Sequence, residues 1–315
     1  MLGFADVVAE TTQFGTGQVD GDVVWRVGQR AAKVAGSRFA YLKGDLVRLQ
    51  LAIVQFTIDS LTNESTIKKI VQFGGLKDVS FKPFIPVLPP AMIRSEVFDA
   101  MDRLEPREER YQVGTQDDNL WLQGSAEHTL GPMYMGEILP AEDLPIRYLG
   151  YLTSFRREAG SYGKDIEGII RMHQFDKLEM ESFSLPQDGM SEHLFIVAVQ
   201  EYLMQQLNLP YHVLNKCTAD IGKPNARGVD LEAWLPGHGR YLETHTADFM
   251  TDYQARRLNT RAKTAEGTVI VHINDATALA PGRTIIAIIE NYQTAGGKVG
   301  IPTVLRPYMG GQLTI

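Results

Sequence analysis

Apolar residues recur along this chain with two different periods, one typical of helices and one typical of strands. Leu46, Leu49, Ile53 and Phe56 follow Asp45 at helical spacing, which predicts a helix with Asp45 as its N-cap and those four side chains buried. The same period predicts further helices over residues 93–104, 194–207, 255–262 and 283–292.

Strand patterns dominate the middle of the sequence. Residues 148–157 and 168–183 are predicted to form a long hairpin, with Gly160, Gly163 and Gly168 in its loop. Further strands are predicted over residues 84–90, 229–235, 240–246 and 268–273. Strands joined by hairpins, with helices inserted between them, predict an α+β fold in which helices pack on an antiparallel sheet.

Composition narrows the class of protein. The 315 residues are 44% hydrophobic and 22% charged, as in an ordinary soluble protein. No apolar run is long enough for a membrane span, and the N-terminus lacks the order of a signal peptide, so we expect a cytoplasmic protein with no membrane partner. A single cysteine, Cys217, excludes an internal disulfide and a Cys-rich zinc site.

The charge of the chain argues for a small anionic ligand. A net charge of −7 disfavours a protein that coats nucleic acid, because phosphate binding needs a concentrated positive field. The basic residues are nevertheless clustered, at positions 156–177 and 256–263. Such local clusters suit a small polyanion, although solvated faces with scattered ion pairs would give the same pattern.

The side chains of the predicted hairpin indicate which kind of anionic ligand could bind there. Because strand side chains alternate, Arg156 and Glu158 share a face of the first arm, and Arg171, His173 and Phe175 share a face of the second. Arginine forks match phosphate oxygens, and an aromatic plane stacks on a base, so this surface suits a nucleotide. An exposed sheet face with cross-strand ion pairs is the alternative that spacing alone leaves open.

Longer stretches of sequence resemble a known family. FRREAG at 155–160 followed by RMHQFDKLE at 171–179 resembles motif 2 of seryl-tRNA synthetases, and GRTIIAIIENYQ at 282–293 resembles their motif 3. DLEAWLP at 230–236, DYQARR at 252–257 and the double proline at 89–90 are similar to other blocks of the same family. The resemblance runs from about residue 31 to the C-terminus.

This resemblance implies a class II aminoacyl-tRNA synthetase-like antiparallel sheet flanked by helices. It divides the chain into an irregular lead-in over residues 1–30 and a catalytic domain over residues 31–315. It implies a homodimer, and a reaction of serine with ATP and Mg²⁺ that gives seryl-adenylate and pyrophosphate. Transfer of the seryl group to the acceptor end of tRNA(Ser) would follow.

The resemblance also assigns roles in ATP binding. Arg156 would bridge the α-phosphate and the amino-acid carboxylate, and Glu158 would read the adenine amine. Phe175 would stack under adenine, with Arg283 on its other face and reaching the γ-phosphate, while Arg171 would hold the β- and γ-phosphates. Arg156 and Arg283 are the predicted catalytic residues.

Two further sets of residues follow from the resemblance. Glu243 and Thr246 would hold Mg²⁺, and because they differ in strand parity, a bulge or strand end is predicted between them. The predicted serine-binding residues are Ser125, Glu127, Arg156, Glu179, Asp275 and Thr277. Glu179 would accept a hydrogen bond from the substrate hydroxyl.

The chain also departs from the family pattern. Asp275 stands where Asn is usual, and His245, Asp248 and Phe249 are predicted to change the pocket wall and with it amino-acid specificity and rate. No sustained heptads precede the core, so we expect either a core without the tRNA-binding coiled coil or a member that does not use tRNA.

Two alternatives to serine-tRNA ligation follow from that expectation. One is a ligase that loads a carrier protein, although the zinc-dependent pocket of such relatives needs cysteine ligands and only Cys217 is present. The other is a catalytically silent, synthetase-like binding protein. Retention of the full phosphate-binding set favours an enzyme.

Overall fold

A computed structural model describes residues 25–115, 118–159 and 169–315 of the chain. The first half contains α1 (Trp25–Ala35), α2 (Asp45–Leu61), α3 (Glu64–Phe73), β1 (Ile85–Val87), β2 (Met92–Arg94), α4 (Ser95–Ala100), β3 (Tyr111–Val113), β4 (Leu120–Leu122), α5 (Glu127–Leu130), β5 (Ile138–Pro140) and β6 (Ile146–Phe155). The second half contains β7 (Gln174–Ser184), α6 (Gly189–Gln206), β8 (Tyr211–Asn215), β9 (Arg227–Leu235), β10 (Arg240–Phe249), α7 (Tyr253–Leu258), β11 (Arg261–Lys263), β12 (Thr268–Ile270), β13 (His272–Leu279) and α8 (Pro281–Asn291).

A seven-stranded sheet organises these elements, in the order β1-β6-β7-β13-β10-β9-β8. Every neighbouring pair is antiparallel except β1 and β6, which are parallel. The predicted α+β class, with an antiparallel sheet flanked by helices, is confirmed.

The two faces of this sheet have different chemistry. Leu178 and Met180 point from β7 into the main hydrophobic core, where α2, α6 and α8 supply buried side chains such as Leu49, Phe195 and Ile285. Because side chains alternate along a strand, the neighbours of Leu178 and Met180 point to the opposite face, and two of them, Glu179 and Glu181, are acidic. The apolar face therefore stabilises the sheet, and the other face carries the chemistry.

The long central hairpin is confirmed. β6 and β7 pair over their whole length, from Ile146 opposite Phe183 to Phe155 opposite Gln174. The second strand begins at Gln174, later than the predicted residue 168. The three loop glycines lie outside the described residues.

Several predicted element boundaries were wrong. Asp45 is the first residue of α2, and Gly44 stands at its N-cap without a side-chain cap, although the four predicted buried side chains are buried. Residues 93–104 do not form one helix, because Met92–Arg94 pairs with β4 and only Ser95–Ala100 is helical. Ile93, Phe98, Leu104 and Trp121 fill a separate small cluster there.

Two predictions near the C-terminus also needed correction. The helix predicted over residues 255–262 ends at Leu258, because Asn259 adopts a left-handed conformation at φ 56°. The strand predicted over residues 268–273 is divided between β12 and β13, which belong to different sheets. At the N-terminus, residues 1–24 lie outside the described part, and α1 crosses the predicted boundary at residue 30.

Candidate active site

The hairpin places Arg156 where β6 ends. Its backbone N–H donates to the His173 carbonyl at 2.9 Å, which extends the pairing of the two arms. Its side-chain Nε donates to the Gly124 carbonyl at 3.0 Å, and its guanidinium carbon lies 5.4 Å from the centre of the Phe175 ring. A Cβ added at Gly124 would lie at ordinary contact distance from Arg156, 3.5 Å, but closer than usual to Arg110, at 3.1 Å, and to His128, at 3.3 Å.

Glu158 and Arg171 form an ion pair just beyond the paired strands, at the loop end of the hairpin. Glu158 adopts a left-handed backbone conformation at φ 53°, and its carbonyl accepts a hydrogen bond from Arg38 at 3.0 Å. Arg156, Glu158, Arg171 and Phe175 line one cleft, as the two-armed surface predicted from the sequence requires.

The opposite wall of this cleft comes from β10 and α8. Arg283 Nη1 donates to the Glu243 carbonyl at 2.5 Å and lies 3.2 Å from the Glu243 carboxylate. The register of β10 against β9 shifts between Glu243 and His245, which confirms the predicted bulge. Both Glu243 and Thr246 consequently line the cleft, despite their different strand parity.

The predicted serine-binding residues converge at the other end of the same cleft. One carboxylate oxygen from each of Glu127, Glu179 and Asp275 lies within 4.8 Å of the others. Thr277 lies opposite Glu179 on the neighbouring strand and lines the cleft. Ser125, Glu179 and Asp275 are buried next to the cleft wall.

Local packing fixes this acidic group. The carboxylate of Glu179 accepts from Lys177 Nζ at 2.5 Å, and the same ammonium lies 3.2 Å from Ser125 Oγ. Glu127 is the first residue of α5, which approaches β6 closely because position 150 is glycine. A Cβ at Gly150 would lie 2.8 Å from Ala126.

Burial divides the carboxyl groups into two kinds. Burial pushes the pKa of Glu127 upwards, but the Arg103 guanidinium, 2.9 Å away, outweighs it and holds that pKa well below its usual range. Burial, partly offset by Lys177, raises the pKa of Glu179 to about 7. Burial and the neighbouring charge of Glu127 raise the pKa of Asp275 well above its ordinary value. The surroundings therefore favour the ionised form of Glu127 and the protonated form of Asp275.

His245, Asp248 and Phe249 depart from the family pattern and were predicted to change the pocket wall, but only Asp248 contributes to that wall. Asp248 lines the cleft, together with Thr246. His245 is buried with its Nδ1 2.8 Å from Thr244 Oγ1, and Phe249 packs against His193 and His272. Because His245 and Phe249 alternate with Asp248 after the bulge, both point away from the described cleft wall.

Sequence reasoning missed three basic or ionisable residues at this end. Arg103 lies in the segment that was predicted to be helical, Lys216 precedes Cys217, and His128 follows Glu127. Lys216 Nζ donates to Thr246 Oγ1 at 2.6 Å and lies 3.1 Å from Asp230. His128 Nδ1 accepts from the Gly124 backbone at 3.0 Å, and burial lowers the pKa of His128 to about 4, so it is a neutral structural support. No motif marked these residues.

Comparison with known proteins agrees with this geometry. The model of the family described as tRNA synthetase class II core domain (G, H, P, S and T) matches residues 111–292, which is more than half of the chain. The chain belongs to this family. The synthetase core thus contains both strands of the hairpin, the acidic group and α8.

Individual relatives are serine–tRNA ligases. The chain is 42% identical to the one from Pyrococcus horikoshii over 284 residues, which is 89% of this chain and 58% of the relative. It is 40% identical to the one from Nitrosopumilus maritimus over 290 residues, covering 91% of this chain and 64% of the relative. The chain thus spans about three fifths of the length of these curated relatives.

Solved structures show the same similarity. The seryl-tRNA synthetase from Pyrococcus horikoshii complexed with ATP superposes with a TM-score of 0.82 at 41% identity, covering 91% of this chain and 60% of that one. The cytoplasmic serine–tRNA ligase from Naegleria fowleri in complex with AMP superposes with a TM-score of 0.83 at 29% identity, covering 100% and 67%. Within the described ranges of this synthetase core, none of the helices is long and apolar enough to cross a membrane.

Proposed function

We propose that this synthetase core activates serine with ATP to form seryl-adenylate and pyrophosphate. The observation that carries the proposal is the continuity of the cleft. Its nucleotide end and its amino-acid end share a wall, to which Arg156, Glu158, Arg171, Lys177 and Thr246 all contribute. Two substrates that bind at the two ends would meet at Arg156.

At the nucleotide end, the side chains match the parts of ATP. The Phe175 ring offers an apolar plane for adenine, and Arg283 reaches into the same cleft from α8. Arg171 and Arg156 offer guanidinium forks that suit phosphate oxygens. Glu158 is placed to accept a hydrogen bond from the exocyclic amine of adenine. Relatives crystallised with ATP and with AMP support this assignment.

At the amino-acid end, the acidic group suits a small amino acid with a hydroxyl. Glu179 pairs with the Lys177 ammonium, and its carboxylate would also accept a hydrogen bond from the substrate hydroxyl. Thr277 and Ser125 offer hydroxyl groups beside it, and Asp275 offers a carboxyl group whose raised pKa favours the neutral form. A site with so many buried polar groups would leave them unpaired with alanine and would reject it.

The proposed reaction needs little proton transfer. A carboxylate oxygen of serine attacks the α-phosphorus, the new carboxyl O–P bond forms, and the bond between the α-phosphorus and the pyrophosphate oxygen breaks. Negative charge builds up on the α-phosphate oxygens and on the leaving pyrophosphate. Arg156 and Arg283 would stabilise that charge, and the cleft would align the two substrates.

Mg²⁺ fits this cleft through oxygen ligands. The Glu243 carboxylate lines the nucleotide end, and magnesium prefers carboxylate and phosphate oxygens. The Thr246 hydroxyl accepts a hydrogen bond from Lys216, so only its second lone pair is open to a metal. We propose that Glu243, with Thr246 beside it, holds the ion, which when bound would neutralise phosphate charge.

We propose the 3′ end of tRNA(Ser) as the acceptor, because the curated relatives are named serine–tRNA ligases. Charging of serine tRNA by the purified protein tests this step separately from activation. A homodimer remains a prediction from the family resemblance, and sedimentation analysis would test it. A cytoplasmic location remains a prediction from the hydropathy of the sequence, and cell fractionation would test it.

The decisive experiment for activation is exchange of labelled pyrophosphate into ATP in the presence of each amino acid. Serine should support exchange at least about 100-fold better than alanine, which has the same size without the hydroxyl. A folded protein that supports no exchange with any amino acid would rule out the enzymatic proposal.

A further inference from the structure

Arg110 and Arg156 are anchored in the same way next to Gly124. Arg110 Nε donates to the Arg103 carbonyl at 3.1 Å, and Arg156 Nε donates to the Gly124 carbonyl at 3.0 Å. A Cβ added at Gly124 would lie 3.1 Å from Arg110 Nη1 and 3.5 Å from Arg156 Cγ, so both side chains border this glycine. Each guanidinium is thus fixed through Nε, which leaves its two terminal nitrogens for other partners.

Aromatic rings hold both guanidinium groups in place. The guanidinium carbon of Arg110 lies 5.5 Å from the centre of the Phe98 ring, and Phe98 is completely buried. Arg156 makes the corresponding contact with Phe175 at 5.4 Å. A ring contact and an Nε hydrogen bond together restrict the rotamers of an arginine, so little side-chain entropy remains to be lost when a ligand binds.

The protein itself supplies no anion for these two arginines. Within residues 25–115, 118–159 and 169–315, no hydrogen bond or ion pair joins the terminal nitrogens of Arg110 or Arg156 to another residue. Glu127 pairs instead with Arg103, at 2.9 Å. Burial and then the like charge of Arg156 lower the pKa of Arg110, and Glu127 offsets only part of this shift. Two neighbouring cations with open donors form a site that suits a shared anion.

The position of Arg110 indicates which anion this is. Both arginines line the amino-acid end of the cleft, a space of about 520 Å³ that also reaches Glu127 and His128. Arg110 does not line the described nucleotide end, to which Arg156 and Phe175 contribute. A group that contacts both arginines therefore lies on the amino-acid side of Arg156. Of the two proposed substrates, the amino acid brings an anionic group to that side, its carboxylate.

We infer that Arg110 is a further substrate-binding residue, which shares the carboxylate of the amino acid with Arg156. The inference rests on the proposed function for the identity of that substrate. Arg110 would hold the carboxylate oxygen that does not attack, and Arg156 would hold the other oxygen beside the α-phosphorus. Two guanidinium groups on one carboxylate fix its rotation, which keeps the attacking oxygen directed at the phosphorus.

A comparison of L-serine with serinol tests this contact directly. Serinol keeps the ammonium and the hydroxyl of serine but carries a hydroxymethyl group in place of the carboxylate. Isothermal titration at neutral pH should show that the natural protein prefers serine at least about 100-fold, because serinol loses the charge-assisted hydrogen bonds from two guanidinium groups. Arg110→Ala should lower this preference at least about tenfold. A folded Arg110→Ala protein with the full preference would overturn the inference.

The ratio of the two affinities separates a contact from a structural role. A displaced loop would weaken serine and serinol alike and leave the ratio unchanged. Arg110→Lys keeps the positive charge and should recover part of the preference. Arg107→Ala is the matched control, because Arg107 is exposed and pairs with Glu105 at 2.9 Å, and it should keep the full preference. If Arg110→Ala does not fold, Arg110→Gln removes the charge with the same expected loss.

Exchange kinetics distinguish the carboxylate of the amino acid from a phosphate of ATP. Arg110→Ala should raise the KM for serine at least about tenfold and change the KM for ATP by less than about threefold. A rise confined to the KM for ATP would assign Arg110 to the nucleotide and overturn the inference.

The two proposals fail in different ways. Absence of serine-dependent exchange in the natural protein and in Arg107→Ala refutes the proposed function. The carboxylate site is then tested with acetate and acetamide at equal ionic strength. Greater thermal stabilisation by acetate of the natural protein and of Arg107→Ala, but not of Arg110→Ala, supports the site. No advantage of acetate in the natural protein, or the same advantage in all three proteins, refutes it.

Discussion

The two ends of the cleft are built differently. The nucleotide end is formed by side chains that remain partly exposed, such as Arg171 at 32% and Arg283 at 25%. The amino-acid end is formed by carboxyl groups that are almost completely buried, such as those of Glu179 and Asp275. A partly exposed end can bind a large anion by charge and stacking, whereas a buried end discriminates through the cost of every unpaired polar group. If the core acts as proposed, the nucleotide end would supply most of the binding strength and the amino-acid end most of the selectivity.

The largest effect should come from breaking the buried ion pair of the amino-acid end. Glu127→Gln leaves the Arg103 guanidinium buried without a carboxylate, so we expect a loss of about 3–5 kcal/mol in the free energy of unfolding. Denaturant unfolding at neutral pH measures this loss. A change below about 1 kcal/mol would mean that water or another acid compensates Arg103.

The next largest effect should appear at the junction of the two ends. Arg156→Ala removes the guanidinium that both ends share, so serine-dependent exchange should fall by about 10²–10³-fold while the protein stays folded. Arg157→Ala is the control, because Arg157 contacts the Tyr111 ring and does not line the described cleft. Near-normal exchange by Arg156→Ala would refute its assigned role.

A pH titration should affect the amino-acid end. The raised pKa of Glu179, about 7, keeps this carboxyl group protonated in more acidic solution, and a protonated group is a weaker acceptor for the substrate hydroxyl than a carboxylate. The KM for serine should therefore fall by up to about tenfold per pH unit as the pH rises towards 7, and then level off. Steady-state exchange measures it, and Glu179→Gln should remove the dependence. A serine KM that is constant on both sides of pH 7 would contradict this account.

The same shift has a consequence for stability. The folded protein binds the Glu179 proton more tightly than the unfolded chain, whose glutamate has a pKa of about 4.5. The stability that this group contributes is therefore complete below that value and is lost as the pH rises to about 7.

The smallest effect should come from the departure at position 275. The raised pKa of Asp275 favours its neutral form, and an amide of the same shape resembles a neutral acid. Asp275→Asn should therefore change unfolding free energy by less than about 1 kcal/mol and serine exchange by less than about threefold. Glu127→Gln, measured under the same conditions, makes the same change of a carboxyl group to an amide at a residue that is ionised, so the comparison shows how much of each effect comes from loss of a charge. An effect as large as that of Glu127→Gln would show that Asp275 is charged.

The nucleotide end was largely predictable from the sequence. Arg156, Glu158, Arg171 and Phe175 lie close together in the chain, and strand alternation places them on one surface. The bulge beside Glu243 could also be predicted. The family resemblance assigned Glu243 and Thr246 to one Mg²⁺ site, although in a regular strand their side chains would point to opposite faces. Local patterns suffice where one hairpin supplies most of the side chains.

The amino-acid end was less predictable, because it depends on contacts between distant segments. The helical period of the sequence predicted that Arg103 lies within a helix. The helix instead ends at Ala100, and the left-handed conformation of Asp102, which no pattern indicates, directs Arg103 towards the cleft. His245 and Phe249 were predicted to change the pocket wall, but the bulge after Glu243 shifts the alternation of the strand and turns both side chains away from the cleft. Protonation of Asp275 depends on burial and on Glu127, neither of which a motif reveals.

Binding of a stable seryl-adenylate analogue tests most directly whether the two ends form one site. Isothermal titration should compare 5′-O-(N-L-seryl)sulfamoyladenosine with AMP and with serine. If both ends are occupied at once, the analogue should bind at least about 10³-fold more tightly than either part alone. An affinity no greater than that of AMP would contradict a continuous adenylate-forming cleft.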